Sequence, residues 1–503
     1  MSFEKSVIVT GYTAFSDVKE HTLEADMVLP DYFSNINKVL KFSVTPYEEM
    51  VTFSGDRVSV AGIAMINLLY VGEDNKLCSY DNEIKYTKVV PAVEAENNDS
   101  VKAEQYVQSL NYRVLGPKRI ELRAALAVKI QIERMRENSI LTQIDDDKIQ
   151  KKCGEITQLK PHCICCRDLS IRETVPAGDM KNTVYILRSA VRCSINESKA
   201  IKNKLMVKGN CRIEAVYVTA ENNVASYSYD LPFTEVVEAL GLEDSDRCDI
   251  AVCGACCKVS LTAAGSEKCE LDTMVKLKLH ITGLAEVSLL CFEDAYSTQG
   301  NAENSFVETD LVKAVKEISE SVPVSMTADT YGEGTLKICD CYADTVTASL
   351  SKAADGTLIT GSVNFNALLV DAENHYSLIS RSTAFEYMFS GEMHGENDCL
   401  CELESSPVSA ALKNAGKIEF SSDIKITLHI TEKIKTKMIS DISVSAAADA
   451  APQENVVLYF GRKGERLWDI AKSNFSSIDI IKESNNITDD CLSEDKLLIF
   501  ANF

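Results

Sequence analysis

Apolar residues alternate with polar ones in three stretches that also align with one another. The first reads VSVAGIAMINLLYVGEDNKLCSY from Val58, the second LMVKGNCRIEAVYVTAENNVASY from Leu205, the third LITGSVNFNALLVDAENHYSLIS from Leu358. Each carries a Gly (Gly62, Gly209, Gly361) and an aliphatic residue nine positions later (Val71, Val218, Val370). An acidic residue and Asn follow: Asp74-Asn75, Glu221-Asn222, Glu373-Asn374. Period-two alternation predicts a strand with one face buried. The acid–Asn pair predicts a hairpin turn, because Asn tolerates positive φ.

A second block recurs about fifty residues on. It reads GPKRIELRAALAVKIQIE from Gly116, GSEKCELDTMVKLKLHIT from Gly265 and NAGKIEFSSDIKITLHIT from Asn414. Its shared Glu (Glu121, Glu270, Glu419) recurs at a spacing of 149. Val128, Ile130, Ile132, then Leu277, Leu279, Ile281, then Ile426, Leu428, Ile430 alternate with polar positions, again predicting a half-buried strand. Two matched blocks, three times, predict a triplication. Between them, 145–160 is charged enough for a surface helix or connector. Thr309 to Ser319 shows helical spacing behind an acidic start.

From Ser443 to Asn455 the chain is Ala-rich and reads as a linker. Beyond it, Val456–Phe460 predicts a strand, and Leu467, Trp468, Ile470, Ala471 and Phe475 fall at helical spacing. Ser476-Ser477-Ile478-Asp479 is a helix start. Ile480 and Ile481 give that helix an apolar face, Asn485-Asn486 ends it, and Leu497–Ile499 close with a strand. The division is 1–145, 146–292 and 293–442 for the repeats, 443–455 for the linker and 456–503 for the last module.

The last module resembles a LysM domain at Tyr459, Gly464, Leu467, Trp468, Ile470, Ala471, Asn485, Leu497 and Ile499. It departs from that pattern at Glu465-Arg466, at Ser493-Glu494-Asp495 and at Phe500. The resemblance implies a βααβ fold with a groove for N-acetylglucosamine chains between the loop at Gly464 and the loop after the second helix. The departures put charge where the family has small groove residues. Either glycan or a protein partner would meet Arg462, Lys463, Gly464, Glu465, Arg466, Asn485, Asn486 and Ile487. Leu467, Trp468, Ile470 and Ala471 read as module core. Trp468 has a second reading, as a binding residue.

The V-x-V-x-G start at Val58, its looser version from Val207, and the later Glu-led strand make the repeats similar to SPOCS domains of spore-coat proteins. The fold class expected is therefore multidomain: three β-rich, mostly antiparallel SPOCS-like repeats and a small βααβ LysM-like domain. Tandem SPOCS-like repeats followed by one LysM resemble clostridial spore-coat morphogenetic proteins. That resemblance implies a LysM that binds a protein, the coat basement-layer ATPase. It also implies residence in the mother-cell cytoplasm at the forespore surface. The alternative is a peptidoglycan-binding protein acting through the same module.

Composition narrows the partners. Seventy-five acidic residues against 52 basic give a net charge of −23, which opposes nucleic acid as a partner. No stretch approaches the ~18 apolar residues of a membrane span, and the N-terminus does not read as a signal peptide, so a cytoplasmic protein without membrane insertion is expected. Twelve of the 18 cysteines lie between Cys153 and Cys291. Cys163-x-x-Cys166 and Cys253-x-x-Cys256 have the spacing of a tetrathiolate zinc site. A step of 149 from the second pair reaches Glu104, Val107, Glu402 and Ser405, so the sister repeats lack the ligands. Reduced cysteines filling core positions account for them better; oxidative cross-linking is a third option. His280 and His429, at one repeat position, fall on the lysine side of the alternation and read as wet. No catalytic motif occurs, and neither an enzyme nor a cofactor is expected.

Overall fold

The computed structural model describes the chain except residues 1, 95, 97–98, 178–179, 181–182, 263–269, 331–335, 354–355, 391–398, 415, 447–454 and 503. The first unit contains β1 (Ser2–Val28), β2 (Ile36–Ser54), β3 (Arg57–Gly72), β4 (Leu77–Pro91), β5 (Ser100–Gly116) and β6 (Arg119–Asp145). The second contains β7 (Ile149–Pro176), β8 (Thr183–Ile201), β9 (Lys204–Thr219), β10 (Val224–Glu238), β11 (Arg247–Thr262) and β12 (Glu270–Ser297). The third contains β13 (Gly300–Asp329), β14 (Lys337–Ala353), β15 (Gly356–Val370), β16 (Tyr376–Phe389), β17 (Cys399–Ser405), β18 (Ser409–Lys413) and β19 (Lys417–Ala446). The last module is β20 (Asn455–Gly461), α1 (Leu467–Ser473), α2 (Ile478–Asn485) and β21 (Lys496–Asn502).

One topology recurs three times, all antiparallel. A meander forms one sheet (β2-β3-β4, β8-β9-β10, β14-β15-β16). The first, last and penultimate strands form the other (β1-β6-β5, β7-β12-β11), with the penultimate strand split into β17 and β18 in the third unit. The two sheets face each other over an apolar core. In the second unit Leu205, Val207, Cys211 and Ile213 meet Val275, Leu277, Leu279 and Ile281. The alternating positions read from the sequence are those buried side chains, and Val128, Ile130, Ile132, Ile426 and Leu428 are buried likewise.

The turn chemistry follows the sequence. Asn75, Asn222 and Asn374 have φ of 60°, 62° and 63°, and each donates its N–H back across the turn, to Gly72, Thr219 and Asp371 carbonyls. The repeat glycines have a different cause. Gly62, Gly209 and Gly361 lie in mid-strand, directly opposite Tyr86, Phe233 and Phe385. Each ring lies across its glycine, so a Cβ at Gly209 would run into Phe233 and the Ser194 carbonyl.

The segment expected as a surface helix or connector and the one with helical spacing are both strands. Residues 149–160 belong to β7 and 309–319 to β13. Pairing with β12 and β19 along their whole length overrides the local spacing. The expected linker is partly strand too: Ser443–Ala446 continue β19 against β13, Asn455 opens β20, and 447–454 lie outside the described residues.

The three units pack together. The long strands, 27 to 30 residues, outrun their third strand. Their outer halves are two-stranded ribbons that share one core: Leu141 and Ile144, Ile149 and Phe292, Ile439 and Ile442, with Ile8, Ile140, Cys291, Leu311 and Met438 beside them. At the other end the three hairpins converge through Leu69, Val71, Leu77, Leu187, Val216, Val218, Leu368 and Tyr376. Between these cores runs a polar seam. Lys41 pairs with Asp344 at 2.6 Å, Arg188 with Asp340 at 3.0 Å, and Lys278 with Glu48 at 2.5 Å. The Arg188 guanidinium also lies 4.0 Å over the Tyr342 ring. Burial pushes the Glu48 carboxyl up, against the pull of Lys278.

The two histidines expected to be wet lie in these joints. His280 is 12% exposed and sits 2.7 Å from Glu133 of the first unit. His429, also 12% exposed, lies 3.7 Å from both Asp249 of the second unit and Glu402. The polar face of each strand is covered by the neighbouring unit, which a single repeat does not reveal. Glu402 holds the His429 imidazolium above its ordinary range, and Asp249 and Glu317 add to this against burial.

Two predictions follow from this packing. Gly209→Ala should lower stability by about 1–3 kcal/mol through overpacking, read as a lower urea midpoint. A raised folded-state pKa stabilises fully below the unfolded value near ~6.5 and is lost as pH rises through the folded value. Replacing His429 by Gln, the residue at the matching position 131, should therefore cost stability at about pH 5.5 and little at pH 8 and above, measured as urea midpoint against pH.

Candidate functional site

The C-terminal module is small enough that each side chain's duty can be followed. Leu467, Ile470 and Ala471 on α1 and Ile481 on α2 pack with Leu492, Leu498 and Phe500, as their helical spacing predicts. Ser477, one residue later than expected, caps α2 by accepting from the Ile480 N–H at 3.2 Å. Ser476 instead donates to the Ala501 carbonyl at 2.6 Å. Asn486 ends the helix at φ 51°.

The predicted binding residues separate into two groups. Asn485 is structural: its amide donates to the Ile481 and Ile499 carbonyls at 2.9 and 3.0 Å and accepts from the Ile499 N–H at 2.8 Å, tying α2 to β21. Glu465 is also engaged, accepting from the Arg462 N–H at 3.0 Å and from the Tyr459 hydroxyl at 3.3 Å. Ile487 packs against the module core. Gly464 holds φ +88°, a conformation that a Cβ would strain. Asp495 accepts from the Lys463 N–H at 2.8 Å, so one charged departure from the LysM pattern serves to fix the loop. Arg462, Lys463, Arg466 and Asn486 remain exposed.

Beside this basic corner lies an apolar face. β20 and β21 pair Leu458 with Ile499 and Phe460 with Leu497. Val456, Leu458 and Phe460 are 72%, 68% and 71% exposed, and Leu497 and Ile499 about half. Five large apolar side chains on one uncovered two-stranded face are unusual at a solvent surface.

Trp468 is partly buried against the module core, as one of its two readings had it, and it has a further duty. It faces the repeats. Its indole N–H donates to Asp294 Oδ2 at 2.8 Å, and its ring meets Tyr296 edge-on at 5.0 Å. Lys472 Nζ reaches the same carboxylate at 2.6 Å, and the Tyr296 hydroxyl donates to the Ser476 carbonyl at 2.8 Å. Asp294 and Tyr296 follow a bulge near the end of β12. Neither was singled out by sequence reasoning. A signal was present: a step of 149 from Tyr296 reaches Asp147 and Ser445, so an aromatic stands where the sister repeats are polar.

The four zinc candidates are not brought together. Cys163 lies in the second unit's core beside Cys165, at 3.6 Å between sulfurs. Cys166, on the adjacent position of the same strand, faces the other way. A bulge between Val252 and Gly254 sets Cys253 beside Lys102 and Glu104, while Cys256 lies by Tyr47 and Glu49. Among the described residues, ligand atoms converge at Asp371, Glu373 and His375 on the β15–β16 turn. There Asp371 already accepts the Glu373 and His375 N–H groups at 3.0 and 2.7 Å, which accounts for the cluster without an ion. A cleft of about 800 Å³ between the units is lined by Lys41, Arg188 and Lys278, all three held in the ion pairs described above. No helix among the described residues is long and apolar enough to cross a membrane.

Replacing Asp294 by Ala should free the lone tryptophan, with red-shifted emission and stronger acrylamide quenching of the full chain. The urea transition of the repeats should stay within about 0.5 kcal/mol, as for a change remote from their cores.

Two stretches of the chain, residues 35–115 and 184–253, match the family model described as SipL, SPOCS domain. The first covers β2 to β5 and the second runs from β8 into β11, so both matches begin at the meander sheet and cross to the opposing one. No curated protein and no solved structure matches the chain. The chain thus carries two SPOCS-like stretches, one in each of its first two units, and this likeness suggests a sporulation-related protein.

Proposed function

We propose that this protein is a non-enzymatic scaffold of spore-coat assembly, whose LysM-like C-terminal module docks a coat morphogenetic protein, the coat basement-layer ATPase or another coat component. The observation that carries this reading is the surface left open on the module. An apolar strip of Val456, Leu458, Phe460, Leu497 and Ile499 runs into the basic corner of Arg462, Lys463 and Arg466. A strip of that kind suits a folded protein surface, with the cations steering an acidic partner and raising the on-rate. Glycan recognition relies on small loop residues and exposed aromatics. Here the loop residues are charged, and the module's tryptophan is engaged by Asp294 and Tyr296. The SPOCS similarity of the repeats supports the sporulation setting. On this reading the protein works in the mother cell, at the forespore surface.

Co-purification of the full chain with the basement-layer ATPase tests this reading. The wild-type chain should capture the ATPase. Lys463→Glu with Arg466→Glu should weaken capture about tenfold, the more so at low salt, and Phe460→Glu should abolish it. Saturable binding of N-acetylglucosamine oligomers, with no capture of the ATPase, would replace this reading with the peptidoglycan-binding one.

A further inference from the structure

Cys193 and Cys211 stand directly opposite each other on β8 and β9, with their sulfurs 3.2 Å apart. Directly opposed residues of an antiparallel pair have Cα atoms ~4.5–5.5 Å apart, inside the ~4.4–6.8 Å range of disulfides. Bond formation therefore needs a side-chain adjustment and no strand movement. We propose that these two residues are a modification site: a dithiol that a low-molecular-weight disulfide oxidises to a cross-strand disulfide within the second unit.

The position is particular to that unit. Cys211 lies two residues after the repeat glycine Gly209, and the same register holds Pro46 opposite Ala64 in the first unit and Val346 opposite Val363 in the third. The sister sheets thus pack this position with small apolar groups and are stable without thiols, so packing alone does not call for two cysteines here. Access is one-sided. Cys193 lines a cleft of about 580 Å³ between the units, together with Arg192, Lys102 and Glu402. Cys211 is fully buried. Among the described residues Cys163 and Cys165 are also close, but they sit two residues apart on a single strand at 3.6 Å and would join no two strands.

The order of steps follows from access. The Cys193 thiol loses its proton to solvent, and its thiolate attacks one sulfur of the small disulfide. A Cys193 mixed disulfide forms and one small thiolate leaves. Cys211, deprotonated in turn, then attacks Cys193 Sγ and expels the second small thiolate. Two protein thiols are oxidised, one small disulfide is reduced to two thiols, and both protons are accounted for. The product ties β8 to β9, and β8 carries Arg188, whose pair with Asp340 joins the second unit to the third. Oxidation would stiffen that joint.

The test uses the full chain and oxidised glutathione. After incubation, free thiols are alkylated under native conditions and then again after unfolding, and the digest is mapped without reduction. The expected result is a linked pair of peptides carrying Cys193 and Cys211, lost on treatment with dithiothreitol, with amide exchange in β8 slowed at least tenfold. Cys211→Val, the residue found at position 363, should fold and accumulate a stable glutathione adduct at Cys193. Recovery of both residues as free thiols after oxidation, with glutathione found only at exposed Cys153 and Cys491, would overturn the proposal. So would a lasting glutathione adduct on Cys193 in the wild-type chain.

Discussion

A two-stranded ribbon cannot bury a face by itself, and this constraint organises the molecule. Each repeat extends its first and last strands well beyond the third strand that would have widened the sheet. An isolated ribbon of that length would leave one side of its apolar residues in water, and such hairpins are marginal at best. Three ribbons facing one another solve the problem together. Leu141, Phe292 and Ile439 come from three different repeats and meet in one core. Triplication is in this sense a structural requirement: a single copy has a sandwich core of its own but no means of covering its stem.

The seam between the units answers a different need. Apolar cores at both ends hold three similar bodies together, yet similar bodies can be joined in more than one order or register. Ion pairs that differ at each interface remove that ambiguity. Lys41 finds Asp344, Arg188 finds Asp340, and Lys278 finds Glu48; none of these three pairs is repeated at another interface. Buried pairs of this kind add little net stability, since desolvation offsets much of the attraction. Breaking one leaves an uncompensated charge, however, so wrong pairings are penalised. The histidines extend the same logic at His280 and His429, with Gln131 at the matching position of the first unit.

The sequence spoke clearly wherever a feature was local. Alternation marked the buried faces, and the acid–Asn pairs marked left-handed turns that the structure places at Asn75, Asn222 and Asn374. The glycines were visible as a repeat, but their reason was not. It lies on the neighbouring strand, in Tyr86, Phe233 and Phe385, some 24 residues away in each repeat. Everything that depends on a second unit was hidden. The segments 149–160 and 309–319 look helical or charged in isolation because the strands that pair with them lie more than a hundred residues further along the chain. His280 and His429 look wet because their cover comes from another repeat. Of the candidate site, the basic corner was legible, whereas Asn485 and Glu465 proved to be tied up in holding loops, which residue type alone does not disclose.

The contact of Trp468 with Asp294 changes what kind of object the last module is. A module on a free tether samples many orientations, and a partner that binds it must fix one of them at an entropic cost. A module held by an indole hydrogen bond, an ion pair from Lys472 and an aromatic contact with Tyr296 has that orientation set before a partner arrives. Its apolar strip and basic corner are then presented in a fixed relation to the three-ribbon stem. In the scaffold role proposed above, such pre-organisation would matter more than added contact area, because the geometry passed to a partner is only as well defined as the joint that transmits it. The repeat's side of this joint, Asp294 and Tyr296, belongs to the end of β12, where Tyr296 stands in place of the sister repeats' Asp147 and Ser445. The aromatic that distinguishes this strand end is therefore also the residue that seats the module, through the Trp468 ring and the Ser476 carbonyl.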